Sequence, residues 1–137
     1  MEYWLSHRPT DAREYQEFRA DRILSGGAFP ADILARGYCY FPDFHLDAIP
    51  ITRLLVSLQN DPDKPVRIYR GAPSDGALNT GDWVTLSRRY AEMYAGDGVY
   101  SDNPDSKVYE YVVKASDLSF DGDSIYEFGY WGPKIAA

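Results

Sequence analysis

The sequence predicts an α+β fold. Helical spacing of apolar residues is concentrated before about residue 64, and short apolar or aromatic runs bounded by turn residues follow from about residue 65. The chain also carries 12 Tyr, 6 Phe and 3 Trp, residue types that suit half-buried sheets. At 137 residues the expectation is a single domain over 1–137, large enough to bury a core without disulfide or metal staples. Its helical part spans about 1–64 and its strand-rich part about 65–137. Neither an internal repeat nor a low-complexity tract interrupts it.

Each element has its own signal. Thr10 or Asp11 caps a predicted helix running to about Leu24, with Tyr15 and Phe18 on one side and Ser25-Gly26-Gly27 as its end. A short turn or helix follows from Phe29 and stops at Gly37. Tyr38 to Phe44 is aromatic and irregular. Pro50 suits a first helical turn, and Ile51, Leu54, Leu55 and Leu58 then follow at i, i+3, i+4 and i+7. Asn60 to Asp63 closes that helix. Val66 to Ala72 reads as a strand, Pro73 to Gly76 as a turn, and Trp83 to Ser87 as a second strand. Ser87 caps a short helix over Arg88 to Ala95. Gly96 to Asp105 is a polar loop. Lys107 to Lys114 and Ser124 to Tyr130 complete the predicted strands.

Composition narrows the function. A formal net charge of −7 opposes generic binding to nucleic-acid backbones, although an acidic DNA mimic would share it. Cys39 is the one cysteine and His7 and His45 the two histidines, so neither an internal disulfide nor a usual zinc site is expected, and no metal is assigned. The N-terminus lacks the pattern of a signal peptide, and no run is long and apolar enough to span a membrane. The expectation is a cytoplasmic protein without a membrane partner.

Three local patterns carry the chemistry. In Ile68-Tyr69-Arg70-Gly71, alternation puts Arg70 on the same face as Ile68, where its charge needs a carboxylate or a bound phosphate. Gly71 allows close backbone approach. In Gly81-Asp82-Trp83-Val84-Thr85-Leu86-Ser87, Trp83, Thr85 and Ser87 share a face. The two hydroxyls either line a pocket or serve the strand and the helix cap. In Asp123 to Tyr130, Glu127 sits among apolar and aromatic residues. It is either paired, with Arg70 as one partner, or acts on a ligand. Arg67, Arg88 and Arg89 form either a positive mouth or a solvated charged face.

Taken together and in order, these residues resemble the ADP-ribosyltransferase-type domains carried by phages, prophages and polymorphic toxins. That pattern runs approximately Y-R-A/G-x-P, then G-D-W-V-T-x-S-x-x-Y-A, then G-D-S-I-x-E-W/F-G-Y. This chain reads Tyr69-Arg70-Gly71-Ala72-Pro73, then Gly81 to Ser87 with Tyr90 and Ala91, then Gly122 to Tyr130. The likeness covers about half the chain, from Val66 to Trp131, with a looser match at His7-Arg8-Pro9.

The resemblance implies an ADP-ribosyltransferase-like split β-sandwich with N-terminal helices, and NAD⁺ as substrate in the cleft between the sheets. It implies that Arg70 holds the phosphates and the nicotinamide-side ribose, and that Gly71 offers backbone hydrogen bonds to the nicotinamide amide. Thr85 and Ser87 stand where the family has serines, and one of them orients Glu127, the catalytic glutamate. Tyr90 or Tyr94 stacks on a ring of the cofactor. Two departures stand out. Leu86 replaces a middle Thr, and Ile125 stands two before Glu127, where arginine-modifying members carry Glu or Gln. The expected function is therefore an NAD-dependent ADP-ribosyltransferase acting on a macromolecular acceptor, protein or nucleic acid, in the host cytoplasm if the phage or toxin context holds. The alternatives are an NAD glycohydrolase and a non-catalytic acidic binding or inhibitor module on the same fold.

Overall fold

A computed structural model describes residues 19–23, 48–72, 76–96, 98, 101, 104–120 and 126–136. In chain order its elements are α1 (Ala48–Leu58), β1 (Pro65–Ala72), β2 (Trp83–Val84), α2 (Arg88–Glu92), β3 (Lys107–Lys114), a 3-10 turn (Ala115–Asp117), β4 (Leu118–Phe120) and β5 (Phe128–Tyr130). The described fold is mixed α+β, with two small antiparallel sheets. One pairs β1 with β3, and the other has the order β2-β5-β4.

The helix α1 forms as its spacing predicts. Ile51, Leu55 and Leu58 are buried, Leu54 packs beside them, and Ile49 and Val56 face outward. Asn60 ends it in the left-handed region, at φ 63°, a conformation that Asn tolerates better than most residues. The end is pinned to the 19–23 segment: the Gln59 amide donates to Ala20 O at 2.8 Å, and Asn60 N donates to Asp21 O at 2.9 Å.

The first sheet is a long ladder. Pro65 pairs with Lys114, Ile68 with Tyr111, and Ala72 with Lys107. Its buried face carries Val66, Ile68, Tyr111 and Val113. The 3-10 turn then passes the chain from β3 straight into β4 of the second sheet, with Ala115 fully buried at the corner. In the second sheet Trp83 pairs with Gly129, Val84 with Phe128, and Phe128 with Phe120. Both sheets and α1 enclose one apolar cluster that includes Leu55, Ile68, Val84, Leu118, Tyr126, Phe128 and Tyr130.

Several boundaries differ from the sequence reading. The helix expected from Thr10 or Asp11 to about Leu24 does not cover its described part. There Arg19 bridges Ser119 as a strand-like neighbour of β4, and residues 20–23 form turns. The backbone is drawn to the sheet edge, with Ala20 N donating to Leu118 O at 2.8 Å, and the Arg19 guanidinium folds back on the buried Asp21 at 2.7 and 2.9 Å. The strand expected over Trp83 to Ser87 has ladder pairing over Trp83–Val84, because Thr85 turns to β1 and Ser87 leaves to cap α2. The helix α2 stops at Glu92 rather than Ala95. The chain then bends through Gly96 at φ 52°, whose N–H donates to Ser106. The strand expected from Ser124 is paired from Phe128 onward. The rest of the first helix, the 29–37 turn, the 38–44 aromatic stretch, most of the Pro73–Gly76 turn, much of the 96–105 loop and Ile125 lie outside the described residues.

Candidate functional site

Among the described residues, the two sheets meet along a short seam. Tyr69 of β1 and Thr85, just after β2, exchange two backbone hydrogen bonds, each 2.9 Å, as an isolated bridge. On either side of that pair, the strands take their partners from different sheets: β1 from β3, and β2 from β5. The polar residues singled out by sequence cluster around this junction.

Arg70 stands one residue past the seam, with its side chain 21% exposed. Its Nη1 lies 3.7 Å from Asp82 Oδ2 and 3.5 Å from Ala77 O, both longer than an ordinary hydrogen bond. Arg70 therefore faces a carboxylate but is not locked to it. Asp82 is held from the other side, where it accepts from Asn79 N at 2.8 Å, and its carbonyl accepts from Tyr130 N at 2.9 Å. Gly81 supplies the tight turn beside it, at φ 93°. Tyr111 closes this corner, donating to Gly76 O at 2.6 Å. Burial pushes the Tyr111 phenol above its ordinary range, and the Arg70 guanidinium partly offsets that rise.

Glu127 is 5% exposed. The Tyr90 hydroxyl donates to its Oε2 at 3.0 Å, and the Tyr94 hydroxyl lies 3.1 Å from that of Tyr90. The Tyr90 ring stacks on buried Tyr126, with centroids 5.0 Å apart and planes within 10°. Burial, followed by the Tyr94 hydrogen bond and the Glu127 charge, pushes the Tyr90 phenol far above its ordinary range. That direction agrees with its place as the donor to Glu127.

Thr85 and Ser87 are each 1% exposed. Thr85 Oγ1 accepts from Ser87 N at 3.1 Å, and Ser87 Oγ accepts from Tyr90 N at 3.0 Å as the N-cap of α2. The two hydroxyls thus build the turn that delivers Tyr90 to Glu127. Gly71 has a steric task as well. A Cβ there would lie 2.8 Å from Ala91 O and 3.2 Å from the Tyr94 backbone, so its absence lets α2 lie on β1.

The structure brings Thr85, Ser87, Tyr90 and Glu127 into one hydrogen-bonded set. It places Arg70 in a neighbouring set with Asp82. The ion pair of Arg70 runs to Asp82, so the Arg70–Glu127 pairing weighed from sequence is not among the described contacts. Arg67 and Arg88 turn to Glu110 at 3.5 and 3.7 Å, and Arg88 also to Glu92 at 3.8 Å. These side chains are largely exposed, which fits a solvated charged face. Sequence reasoning missed the partners Asp82, Tyr126 and Tyr111. The first two carried a signal, since each immediately precedes a residue already singled out, Trp83 or Glu127.

A separate cavity of about 300 Å³ is lined by Pro65, Val112, Tyr130, Pro133, Ile135 and their neighbours, and none of its lining residues belongs to the candidate site. Among the described residues no group of three metal-ligating side chains occurs, and no helix is long and apolar enough to cross a membrane. Compared with known proteins, the chain matches no family model, no curated protein and no solved structure.

Proposed function

We propose that the chain is an ADP-ribosyltransferase that cleaves the nicotinamide–ribose bond of NAD⁺ and transfers ADP-ribose to a macromolecular acceptor. The observation that carries this reading is the buried Glu127 carboxylate, held by a neutral Tyr90 donor near a seam where two sheets part. The short bridge between two small sheets supports the split β-sandwich reading, in which the dinucleotide would lie between them. Arg70, loosely held at 3.7 Å from Asp82, is suited to exchange that carboxylate for a diphosphate, which it matches with two parallel hydrogen bonds.

The chemistry follows from those groups. As the C1′–N bond breaks, nicotinamide leaves with the bonding pair and positive charge builds on the ribose. A fixed carboxylate stabilises that charge and accepts a hydrogen bond from the ribose 2′-hydroxyl. The acceptor nucleophile then bonds to C1′ and loses its proton to solvent. Glu127 supplies the carboxylate, Arg70 anchors the phosphates, and Thr85 and Ser87 keep α2 in place. Ile125, standing where arginine-modifying relatives carry Glu or Gln, disfavours arginine as the acceptor and leaves water as a second one, the glycohydrolase reading.

A second reading has its own support. Thr85, Ser87 and Gly71 all have structural tasks, and Arg70 has a protein partner, as expected of a binding module that kept the fold without the activity. Two experiments separate the readings. Labelled NAD⁺ in a cell lysate marks a protein or nucleic-acid species if the chain is a transferase, whereas free ADP-ribose without acceptor indicates the glycohydrolase. A binding module gives neither product, and NAD⁺ leaves its melting temperature unchanged, because only a ligand of the native state raises it.

A further inference from the structure

The resemblance leaves Tyr90 or Tyr94 as the ring that stacks on a ligand, and the surroundings of Tyr90 give it a further task. One face lies against Tyr126, 5.0 Å between centroids and nearly parallel, and the Tyr94 ring sits 5.2 Å away at a tilt. Its backbone N–H is fixed by the Ser87 cap at 3.0 Å. Its hydroxyl donates to Glu127 Oε2 at 3.0 Å. In the 3.1 Å contact between the two phenols either oxygen can be the donor. The hydroxyls of half-buried Tyr94 and of Tyr90 thus line up with the buried Glu127 carboxylate.

We infer that Tyr90 is the positioning residue of Glu127, fixing one carboxylate oxygen and its charge so that the other oxygen meets the ribose. This rests on the transferase reading of the site for its catalytic consequence, but the hydrogen bond itself does not. The role differs from ring stacking on a cofactor and gives the α2 cap a purpose: Ser87 sets the helix, the helix sets Tyr90, and Tyr90 sets the carboxylate. Among the described residues, the titratable groups seen against Tyr90 include Tyr94, two residues past α2, and Tyr126 and Glu127 before β5, while the Arg70 charge turns to Asp82.

The test is Tyr90→Phe, which keeps the stacked ring and removes the hydroxyl. Nicotinamide release from NAD⁺ should lose kcat by on the order of 10- to 100-fold, the scale of a slightly misplaced catalytic group, with KM within about twofold. The Glu127 carboxyl ¹³C signal should titrate at higher pH than in the wild type, because a donor to the charged form is gone. An unchanged kcat in the folded variant would overturn the inference. If the wild type releases no nicotinamide, the transferase reading fails separately, and the carboxyl titration alone decides: unmoved in Tyr90→Phe, it removes Tyr90 from any role on Glu127. Should that variant not fold, 3-fluorotyrosine at position 90 replaces it. This stronger donor should move the titration down, and no movement contradicts the inference.

Discussion

At the scale of single residues, the acidic and basic halves of the site are held by different partners. Glu127 receives a phenol, while Arg70 faces a carboxylate at 3.7 Å. Asp82 therefore competes with any anion that approaches Arg70. Asp82→Asn keeps an oxygen for Asn79 N but removes the charge. It should lower the KM for NAD⁺ by about two- to fivefold, since one nearby charge is worth roughly 1 kcal/mol at a partly exposed site. A steady-state titration checks this, and a raised KM would mean that Asp82 orients Arg70 instead of restraining it. The phenols make a second prediction. Burial is the first cause of the raised pKa at Tyr90, Tyr111 and Tyr130 alike, all from an ordinary value of 10.0. The folded state thus prefers the neutral phenol more than the unfolded chain does. That contribution to stability is complete below pH 10.0 and falls as pH rises through the folded values. Denaturant melts should therefore show stability declining above about pH 10, with the tyrosinate absorbance of these three phenols appearing together with unfolding.

At the scale of elements, α2 is the part on which the site depends most. Its five residues are too few to be stable alone, so the Ser87 cap and its seat over Gly71 hold it. Ser87→Ala should cost about 1 kcal/mol in chemical denaturation, the usual worth of such a cap. Gly71→Ala is more severe, because its Cβ would meet backbone rather than a flexible side chain. The helix must shift, costing about 1–3 kcal/mol, and Tyr90 moves away from Glu127. Nicotinamide release should then fall further than the stability loss explains. An Ala variant with full activity would show that the Tyr90–Glu127 distance does not matter.

Much of this level was legible in the sequence. The Ile51-Leu54-Leu55-Leu58 spacing gave α1, short apolar or aromatic runs bounded by turn residues gave β1 and β3, and Ser87 announced its own cap. What escaped was decided by distant partners. Arg19 joins β4 across a hundred residues of sequence, and Thr85 prefers Tyr69 over β5. The strand β4 is three residues long, too short to signal itself.

For the whole molecule, the two sheets are linked by a three-residue corner at Ala115–Asp117 and by the Tyr69–Thr85 seam. The candidate site lies at the seam, where Thr85, Ser87 and Glu127 are buried polar residues beside the apolar cluster. The grouping of Arg70, Thr85, Ser87 and Glu127 around one junction was legible from three motifs in order. The division into an Arg70–Asp82 set and a Glu127–Tyr90 set was not, since it depends on how the strands part.

If Glu127 drives cleavage of the nicotinamide–ribose bond, nicotinamide release from NAD⁺ depends on it whether the acceptor is a macromolecule or water. The measurement compares wild type with Glu127→Gln in the presence of cell lysate, with melting temperatures recorded alongside. The wild type should release nicotinamide and the variant should lose at least about 100-fold, on the scale of removing an electrostatic stabiliser, with the fold retained. Equal release by both proteins, or none from a folded wild type saturated with NAD⁺, would contradict this role of Glu127.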